Sequence, residues 1–434
     1  MTESTNAPVV SAQRISSLDV IRGVALLGIL LMNITNFGLP FAYVDPHYAG
    51  GADGLNFLTW QITSLFFEGT MRGLFSILFG AGVILMTSRA EARDPSIAVA
   101  DIYFRRNLWL IAFGLIHAWL LLFTGDILYI YGIVGLFLFT FRHVSPRKLI
   151  ILGVLVLATT GMKDIYWNLQ DVRAHSAAQA AQAILDAGGE ISDEQQEDID
   201  SWQSNIDNHP VTPERITEMI EAKKGGYFDN IAYNAERLIE RQGYELYMFS
   251  FADAAGMMLI GMALLKLGIL KAEQSTRFYL TMMLFGYGIG LSFNVWEMNR
   301  LIDGNFGYVA FGPTYLTHEL GRLPTTLGHV GTVMLICRNG CLSWLTARLA
   351  AVGQMALTNY IMQTVICAFF FFGIGLAMFN ELQRYELYYV VFAIWIFQLA
   401  VSPIWLKYFR FGPLEWLWRS LTYKQKQAMK RKPA

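Results

Sequence analysis

The sequence predicts an all-α protein, a polytopic membrane helix bundle of about ten transmembrane helices with a small outer helical insertion. Of its 434 residues, 54% are hydrophobic and only 15% are charged, whereas soluble domains carry about 25% charged residues. The apolar residues form runs near the roughly 20 residues that one membrane-spanning helix requires. Charged residues cluster between these runs, and the net charge of -1 gives no indication of a nucleic acid partner.

Ten apolar runs are candidate spans. Their limits are 18–38, 62–88, 107–124, 126–141, 147–165, 246–268, 276–296, 315–337, 352–378 and 388–408. Arginine and lysine accumulate in cytoplasmic loops of membrane proteins. If the N-terminal segment 1–17 is cytoplasmic, helices one to five (18–165) and six to ten (246–408) place most basic clusters and the basic tail 409–434 on that side. The opposite loop 39–57 has no lysine or arginine, so we predict both termini inside.

The segment 166–245 is the exception to this charge pattern. It holds sixteen acidic and six basic residues, and long loops cross a membrane regardless of charge. Helix signals recur within it: Ser192 and Gln195 have the spacing of a capping box, and Thr212 followed by Pro213 is typical of a helix start. We therefore expect an extracytoplasmic helical cap here.

Several common chemistries have no sequence support. The three cysteines, Cys337, Cys341 and Cys367, cannot form a disulfide framework and are expected to be free thiols. The sequence contains no P-loop, no Gly-x-Ser-x-Gly elbow and no His-Glu-x-x-His motif. We predict no metal site.

Polar residues in the first span define one stripe. Asp19 and Arg22 are three residues apart and can pair on one helical face, which continues through Leu26 and Ile29 to Asn33. Charged side chains in a bilayer are costly, about 2.5 to 3.5 kcal/mol at its centre, and are therefore candidates for function. The alternative is that Asp19 and Arg22 form an interfacial pair and that Asn33 bonds a neighbouring helix.

Spans two to four add two further pairs of interest. Glu68 and Arg72 have the i,i+4 order that favours a helical ion pair, functional or merely structural. His117 is the one ionisable group within span three, where an imidazole can act as a base or as a satisfied core residue. Asp126 opens span four and can cap it. On a straight helix His117 and Asp126 would be about 13 Å apart, so their pairing requires a helix break or a bridging group.

The later spans repeat this polarity on the outer side. Asp253 lies in span six, Asn294 in span seven, and Glu319 and Arg322 in span eight. Convergence of polar side chains from this many helices predicts a water-filled cavity open to the outer side.

Particular strings carry a resemblance that covers nearly the whole chain apart from 166–245. They are RIxxLDxxRG at 14–23, LFGAG at 78–82, GLIH at 114–117, MALTNY at 355–360 and GPLEWLWR at 412–419. On these strings the sequence resembles the YeiB-like family of bacterial inner-membrane proteins (domain of unknown function 418). The resemblance implies a multi-pass protein of the inner, cytoplasmic membrane.

The opening motif and helix pattern of that family are similar to transmembrane acyltransferases, such as the heparan glucosaminide acetyltransferase family. Such proteins are thought to carry an acyl group from cytosolic acyl-CoA to an acceptor across the membrane. There, an asparagine late in the first core helix and a histidine in the next outer loop serve the reaction. Asn33 matches the asparagine. His47 is an approximate match to the histidine and is the alternative base behind His117.

The resulting hypothesis is a transmembrane acyltransferase that uses acyl-CoA as co-substrate. His117 would be the base or transient acyl acceptor, Asn33 the oxyanion donor, and Asp126 the residue that orders the outer mouth. The ligand-binding candidates are Asp19, Arg22, Glu68, Arg72, Asp253, Glu319 and Arg322. Expected partners are the lipid bilayer and an extracytoplasmic glycan, lipid-linked sugar or small molecule, with a homo-oligomer left open. The rivals are a small-metabolite transporter or exporter that uses the last three of these residues, and a non-enzymatic scaffold that binds a partner through its cap.

Overall fold

A computed structural model of the protein describes residues 16–43, 45–47, 51, 53–93, 98–207 and 212–431. These residues form α-helices joined by turns, with no β-strand among them, so the all-α prediction is confirmed. The helices are α1 (Ser16–Gly38), α2 (Gly54–Phe66), α3 (Thr70–Arg93), α4 (Ala98–Leu115), α5 (Leu128–Leu138), α6 (Pro146–Asp186), α7 (Asp193–Asp207), α8 (Pro213–Lys224), α9 (Tyr227–Gln242), α10 (Phe251–Lys266), α11 (Thr276–Asp303), α12 (Tyr308–Asn339), α13 (Ser343–Gln354), α14 (Ala356–Phe371), α15 (Leu387–Tyr408) and α16 (Pro413–Tyr423).

The number of helices that are long and apolar enough to cross a membrane is smaller than the sequence predicts. The described chain has six such segments, or seven if α13 and α14, which meet at a bend of 83°, form one broken span. The six are Ser16–Gly38, Gly54–Arg89, Pro146–Asp186, Tyr227–Lys266, Thr276–Asp303 and Leu387–Tyr408. The other predicted spans correspond to α4, to the short helix Leu128–Phe141 and to α12, which are helical but shorter or more polar. A multi-pass membrane protein is the consistent description.

α1 lies inside the bundle and crosses α13 at very short range. A Cβ atom added to Gly353 of α13 would lie 2.0 Å from the Asp19 carbonyl oxygen, and one added to Gly23 of α1 would lie 2.1 Å from the Leu349 carbonyl oxygen. Small residues allow such backbone contact between helices in membranes, where van der Waals packing takes the place of the hydrophobic effect. The crossing therefore depends on glycine at both positions.

α6 joins the bundle to the cap without interruption. It has 41 residues, which corresponds to about 60 Å of helix, so the expected boundary at 165/166 lies inside it. The capping box of the cap is present: the Ser192 backbone N–H donates to Gln195 Oε1 at 3.0 Å, and the Gln195 N–H donates to Ser192 Oγ at 3.3 Å. Thr212 caps α8 by accepting from the Arg215 N–H at 3.3 Å.

The α1–α13 crossing yields a stability prediction. Gly353→Ala must displace backbone, because its new methyl group meets the Asp19 carbonyl oxygen. We expect a loss of about 1–3 kcal/mol in the free energy of unfolding, as is typical of overpacking. Gly82→Ala is the matched control, since a Cβ there has no atom within 4 Å and alanine favours a helix. Thermal unfolding in detergent measures both; equal melting temperatures for the two variants would contradict the close crossing.

The orientation is tested at Cys341. This free cysteine is exposed in the turn between α12 and α13, whereas Cys367 is buried. The sequence-based orientation, with both termini inside, predicts that this turn is cytoplasmic. We expect a membrane-impermeant maleimide to label a chain whose only cysteine is Cys341 in inside-out vesicles and not in intact spheroplasts. Cys341→Ser is the blank, and labelling of spheroplasts alone would reverse the orientation.

Candidate functional site

The site begins with a break at the end of α4. A π-helical turn from Ile116 to Leu120 follows α4, and Leu122 then adopts a left-handed conformation with φ of 62°. π-Turns are rare and occur frequently at functional sites. The chain reverses here, so His117 Nδ1 lies 2.7 Å from Asp126 Oδ1. The break that this pairing requires is therefore present.

The imidazole has a second partner on a distant helix. His117 Nε2 lies 2.7 Å from the hydroxyl oxygen of Thr364 in α14. The other oxygen of Asp126 accepts a hydrogen bond from the Tyr129 backbone N–H at 2.8 Å, so Asp126 also caps the start of α5, as expected. His117 is 0%, Thr364 2% and Asp126 4% exposed. Asp126, His117 and Thr364 form a continuous buried chain, named here the triad.

The direction of these hydrogen bonds follows if Asp126 is ionised and His117 is neutral. An ionised carboxylate only accepts hydrogen bonds, so His117 Nδ1 would then donate to Asp126. The bare Nε2 of that neutral imidazole would accept from the Thr364 hydroxyl. This arrangement is a hydroxyl facing a base that is oriented by a carboxylate, the geometry that activates a nucleophile.

Aromatic rings surround the triad. The rings of Phe123 and Tyr360 have centroids 5.2 Å and 4.9 Å from that of His117. Phe37 of α1 stacks on Phe123 at 4.8 Å, so the outer end of α1 borders the site. Asn33 precedes Phe37 by four residues and shares its face of α1. It is half-buried, and among the described residues no hydrogen bond joins it to the triad.

A polar column continues from the triad along α14. Gln363 donates to Gln398 Oε1 at 3.0 Å, and Asn359 donates to Ser402 Oγ at 3.1 Å. At the start of α14, the carboxylate of Glu415 accepts from two backbone N–H groups, with distances of 2.6 Å and 3.1 Å. None of these residues, nor Thr364, is among the sequence-predicted site residues. The i,i+4 spacing of Asn359 with Gln363 and of Gln398 with Ser402 within apolar helices is a sequence signal for these four residues.

A second polar group forms around Arg322 and is named here the Arg322 cluster. Arg322 Nη2 donates to Asp253 Oδ1 and, at 2.6 Å, to Glu319 Oε1. Arg72 Nη2 lies 3.3 Å from Asp253 Oδ2. The sequence pairs Arg72 with Glu68, but no continuous helix joins these two residues. Glu68 lies in the turn before α3, and this turn ends at Gly69, whose φ is 67°. Arg72 therefore pairs with Asp253.

The remaining candidates lie outside both groups. Arg22 donates to Asp19 at 2.8 Å and to the Gly353 carbonyl at 3.4 Å, so this pair supports the α1–α13 crossing. His47 lies 2.7 Å from Asp45 Oδ1 and has no hydrogen bond to the triad among the described residues.

The polar residues thus converge on two groups where the sequence predicts one cavity. In the described chain no hydrogen bond or ion pair links the triad directly to the Arg322 cluster. α5, which begins just after Asp126, contacts the helix of Arg72, because the Tyr131 hydroxyl of α5 donates to the Arg72 carbonyl oxygen of α3 at 3.1 Å. The two groups are therefore neighbours within one bundle.

The cap lies beside Asp126. A small open pocket lies between the Asp126 turn and α9. Asp126 and Tyr129 line one side, and Leu238, Arg241 and Gln242 of α9 line the other. The Trp119 indole N–H donates to Gln242 Oε1 at 3.0 Å. Residues of the cap therefore line the pocket beside the Asp126 end of the triad.

Lys223 holds the cap to the bundle. Its side chain is 6% exposed, and its ammonium donates to Asn234 Oδ1 at 2.8 Å and lies 4.7 Å from the centroid of the Phe372 ring. Its carbonyl oxygen accepts from the Gly373 N–H at 2.8 Å. This contact docks α8 on the chain that follows α14.

Docking of the cap is expected to depend on pH through Lys223. Burial lowers the pKa of Lys223 to about 8, against about 10.4 in an unfolded chain. Between these values the folded form has released a proton that the unfolded form retains, so stability rises with pH over this window. We expect hydrogen exchange in α8, corrected for its intrinsic rate, to slow from pH 7.5 to 9.5. The free energy of local opening should rise over this range by an amount of the order of 2 kcal/mol.

Lys223→Met should remove this dependence, whereas Lys224→Met should keep it, because Lys224 forms a surface pair with Glu381. A pH dependence of equal size in both variants would show that Lys223 is not its source.

Comparisons with known proteins place the chain among bacterial relatives. Residues 264–425 match the family described as "Protein of unknown function (DUF418)". The chain is 32% identical over 416 residues to the "Uncharacterized protein YeiB" of Escherichia coli (strain K12), which covers 94% of this chain and 96% of that protein. It is 27% identical over 443 residues to the "Uncharacterized protein YxaH" of Bacillus subtilis (strain 168), which covers 99% of both chains. No solved structure matches it significantly.

Proposed function

The chain belongs to the YeiB-like DUF418 family. From the geometry of its buried polar residues, we propose that it is a transmembrane acyltransferase of the bacterial inner membrane. It would transfer an acyl group from cytosolic acyl-CoA to an extracytoplasmic acceptor. The observation that carries the proposal is the triad, a hydroxyl, an imidazole and a carboxylate joined by two hydrogen bonds of 2.7 Å.

The triad supports acyl transfer in two steps. Thr364 Oγ attacks the thioester carbonyl carbon, and its proton passes to His117 Nε2. The C–S bond breaks, and the CoA thiolate takes the proton from His117, which leaves an ester on Thr364. An acceptor hydroxyl then loses its proton to His117 and attacks that ester, and Thr364 recovers the proton when its C–O bond breaks. Asp126 stabilises the imidazolium in both steps.

The remaining proposed roles follow the positions of the residues along the bundle. Asn33 would donate to the carbonyl oxygen in the transition state, since its helical face reaches Phe123 through Phe37. Asp19 and Arg22 would line the cytosolic donor end near Gly353. The triad is almost fully buried, so α14 or the cap must move before the substrates enter. Exclusion of water from the closed state protects an acyl ester from hydrolysis.

Transport of a small polar metabolite is the second candidate function. It is favoured by the Arg322 cluster, in which charged side chains of α3, α10 and α12 meet inside the bundle. The flux of solute through proteoliposomes in the absence of acyl-CoA separates the two functions.

The test uses purified full-length protein in detergent with radiolabelled acetyl-CoA and longer acyl-CoA species. We expect acyl-CoA turnover and an acyl ester on Thr364 that is detectable by mass spectrometry. Thr364→Val and His117→Gln should each reduce the rate by about 100- to 10,000-fold, because the nucleophile or its base is lost. Thr364→Ser should retain activity, since it keeps the hydroxyl.

Thr87→Val is the matched control. Thr87 is also buried, and its hydroxyl donates to the Val83 carbonyl of its own helix at 2.9 Å. Wild-type protein that neither binds nor turns over any acyl-CoA, or activity that survives Thr364→Val and His117→Gln, would overturn the proposal.

A further inference from the structure

Arg322 is a fully buried cation with unused hydrogen-bonding capacity. Its side chain is 1% exposed, and Nη2 alone makes its two bonds to carboxylates. Among the described residues, its Nε and Nη1 have no acceptor, and the neighbouring Glu319 Oε2 has no donor. Buried polar groups in native proteins are nearly always paired, so these three atoms are candidates for contact with a bound molecule. Donors and an acceptor of this kind lie side by side here.

The Arg322 cluster is closed at Arg322 and open at Arg72. The side chain of Arg72 is 48% exposed, and it lies 3.3 Å from Asp253 Oδ2. Asp253 in turn accepts from Arg322. A chain of charged side chains, Arg72, Asp253 and Arg322, therefore leads from the exposed end of the cluster to its buried end.

The charge balance disfavours an anionic ligand. Two arginines, Arg72 and Arg322, are matched by two carboxylates, Asp253 and Glu319. A further carboxylate borders the cluster, because Thr317, two residues before Glu319, donates to Glu297 Oε1 at 2.6 Å. An added anion would face these carboxylates, whereas a neutral ligand leaves the two arginines and their partner carboxylates in balance.

We propose that the Arg322 cluster binds a neutral saccharide group, free or lipid-linked. Each sugar hydroxyl both donates and accepts hydrogen bonds, so adjacent hydroxyls can accept from Arg322 Nε and Nη1 and donate to Glu319 Oε2. Hydrogen bonds to charged side chains are the strong ones, which suits recognition of an uncharged molecule. The role of this site as the acceptor site of an acyltransferase rests on the proposed function. The binding of a saccharide there does not.

Binding is measured on the purified full-length protein in detergent, without acyl donor. The probes are glucose, N-acetylglucosamine and trehalose, with glucuronate and inorganic phosphate as anionic comparisons. We expect at least one neutral sugar to bind at least tenfold more tightly than either anion. Glu319→Gln keeps an oxygen that accepts from Arg322 Nη2 but replaces the acceptor Oε2 with an NH2 group, which only donates. Binding should therefore weaken at least tenfold. Arg322→Lys should abolish it.

Glu91→Gln is the matched control, a half-buried glutamate that pairs with Arg142 at 2.9 Å, and it should leave sugar binding unchanged. Because Arg322→Lys can fail to fold, Glu319→Gln decides the assignment if its melting temperature is within a few degrees of wild type. No binding of any sugar, tighter binding of the anions, or equal affinity in Glu319→Gln would overturn it.

The same measurements separate this inference from the proposed function. Sugar binding that persists in His117→Gln while acyl transfer is lost supports both. Sugar binding by wild-type protein that shows no acyl transfer supports the site and overturns the acyltransferase. Acyl transfer to a sugar with an unchanged KM in Glu319→Gln supports the acyltransferase and overturns the site.

Discussion

The candidate site depends on the break that ends α4. On a continuous helix, His117 and Asp126 would be too far apart to meet, and each would enter the bilayer unpaired. The π-turn and the reversal at Leu122 bring the two side chains to 2.7 Å. Asp126 is stabilised further by the Tyr129 N–H. A buried carboxylate is tolerated in a membrane bundle only with such partners.

The triad and the Arg322 cluster divide the polar interior between them. The triad combines one hydroxyl with one base and is closed to solvent, which suits a chemical step. The Arg322 cluster is charge-balanced and open beside Arg72, which suits recognition of a polar molecule. The cap lies beside the first group and is docked on the bundle where Lys223 contacts Phe372 and Gly373. A conformational change that lifts α9 would therefore open the side of the pocket nearest Asp126.

The fold follows from the sequence more fully than the site does. Apolar runs predict the helices, and Ser192 with Gln195 predicts the start of α7, because both signals are local. His117 and Asp126 are selectable for the same reason, as ionisable residues in apolar segments. Thr364 is not, because threonine in a membrane helix ordinarily bonds its own backbone. Its role depends on which helix α14 faces.

Other differences have the same origin in tertiary structure. The i,i+4 rule pairs Glu68 with Arg72, but the turn at Gly69 ends the helix between them, and Arg72 pairs with Asp253 from α10. Hydropathy does not show that α13 and α14 bend by 83°, a bend that Glu415 stabilises from α16 by accepting from the backbone at the start of α14. Local spacing cannot report contacts between helices that are distant in the sequence.

Nitrogen NMR of histidine-labelled protein in bilayers measures the protonation pattern of the triad. The difference between wild type and His117→Gln isolates the signals of this one imidazole. We expect a neutral ring with the proton on Nδ1 and a bare Nε2 whose shift changes in Thr364→Val. A proton on Nε2 with a bare Nδ1, or an Nε2 signal indifferent to Thr364→Val, would contradict it.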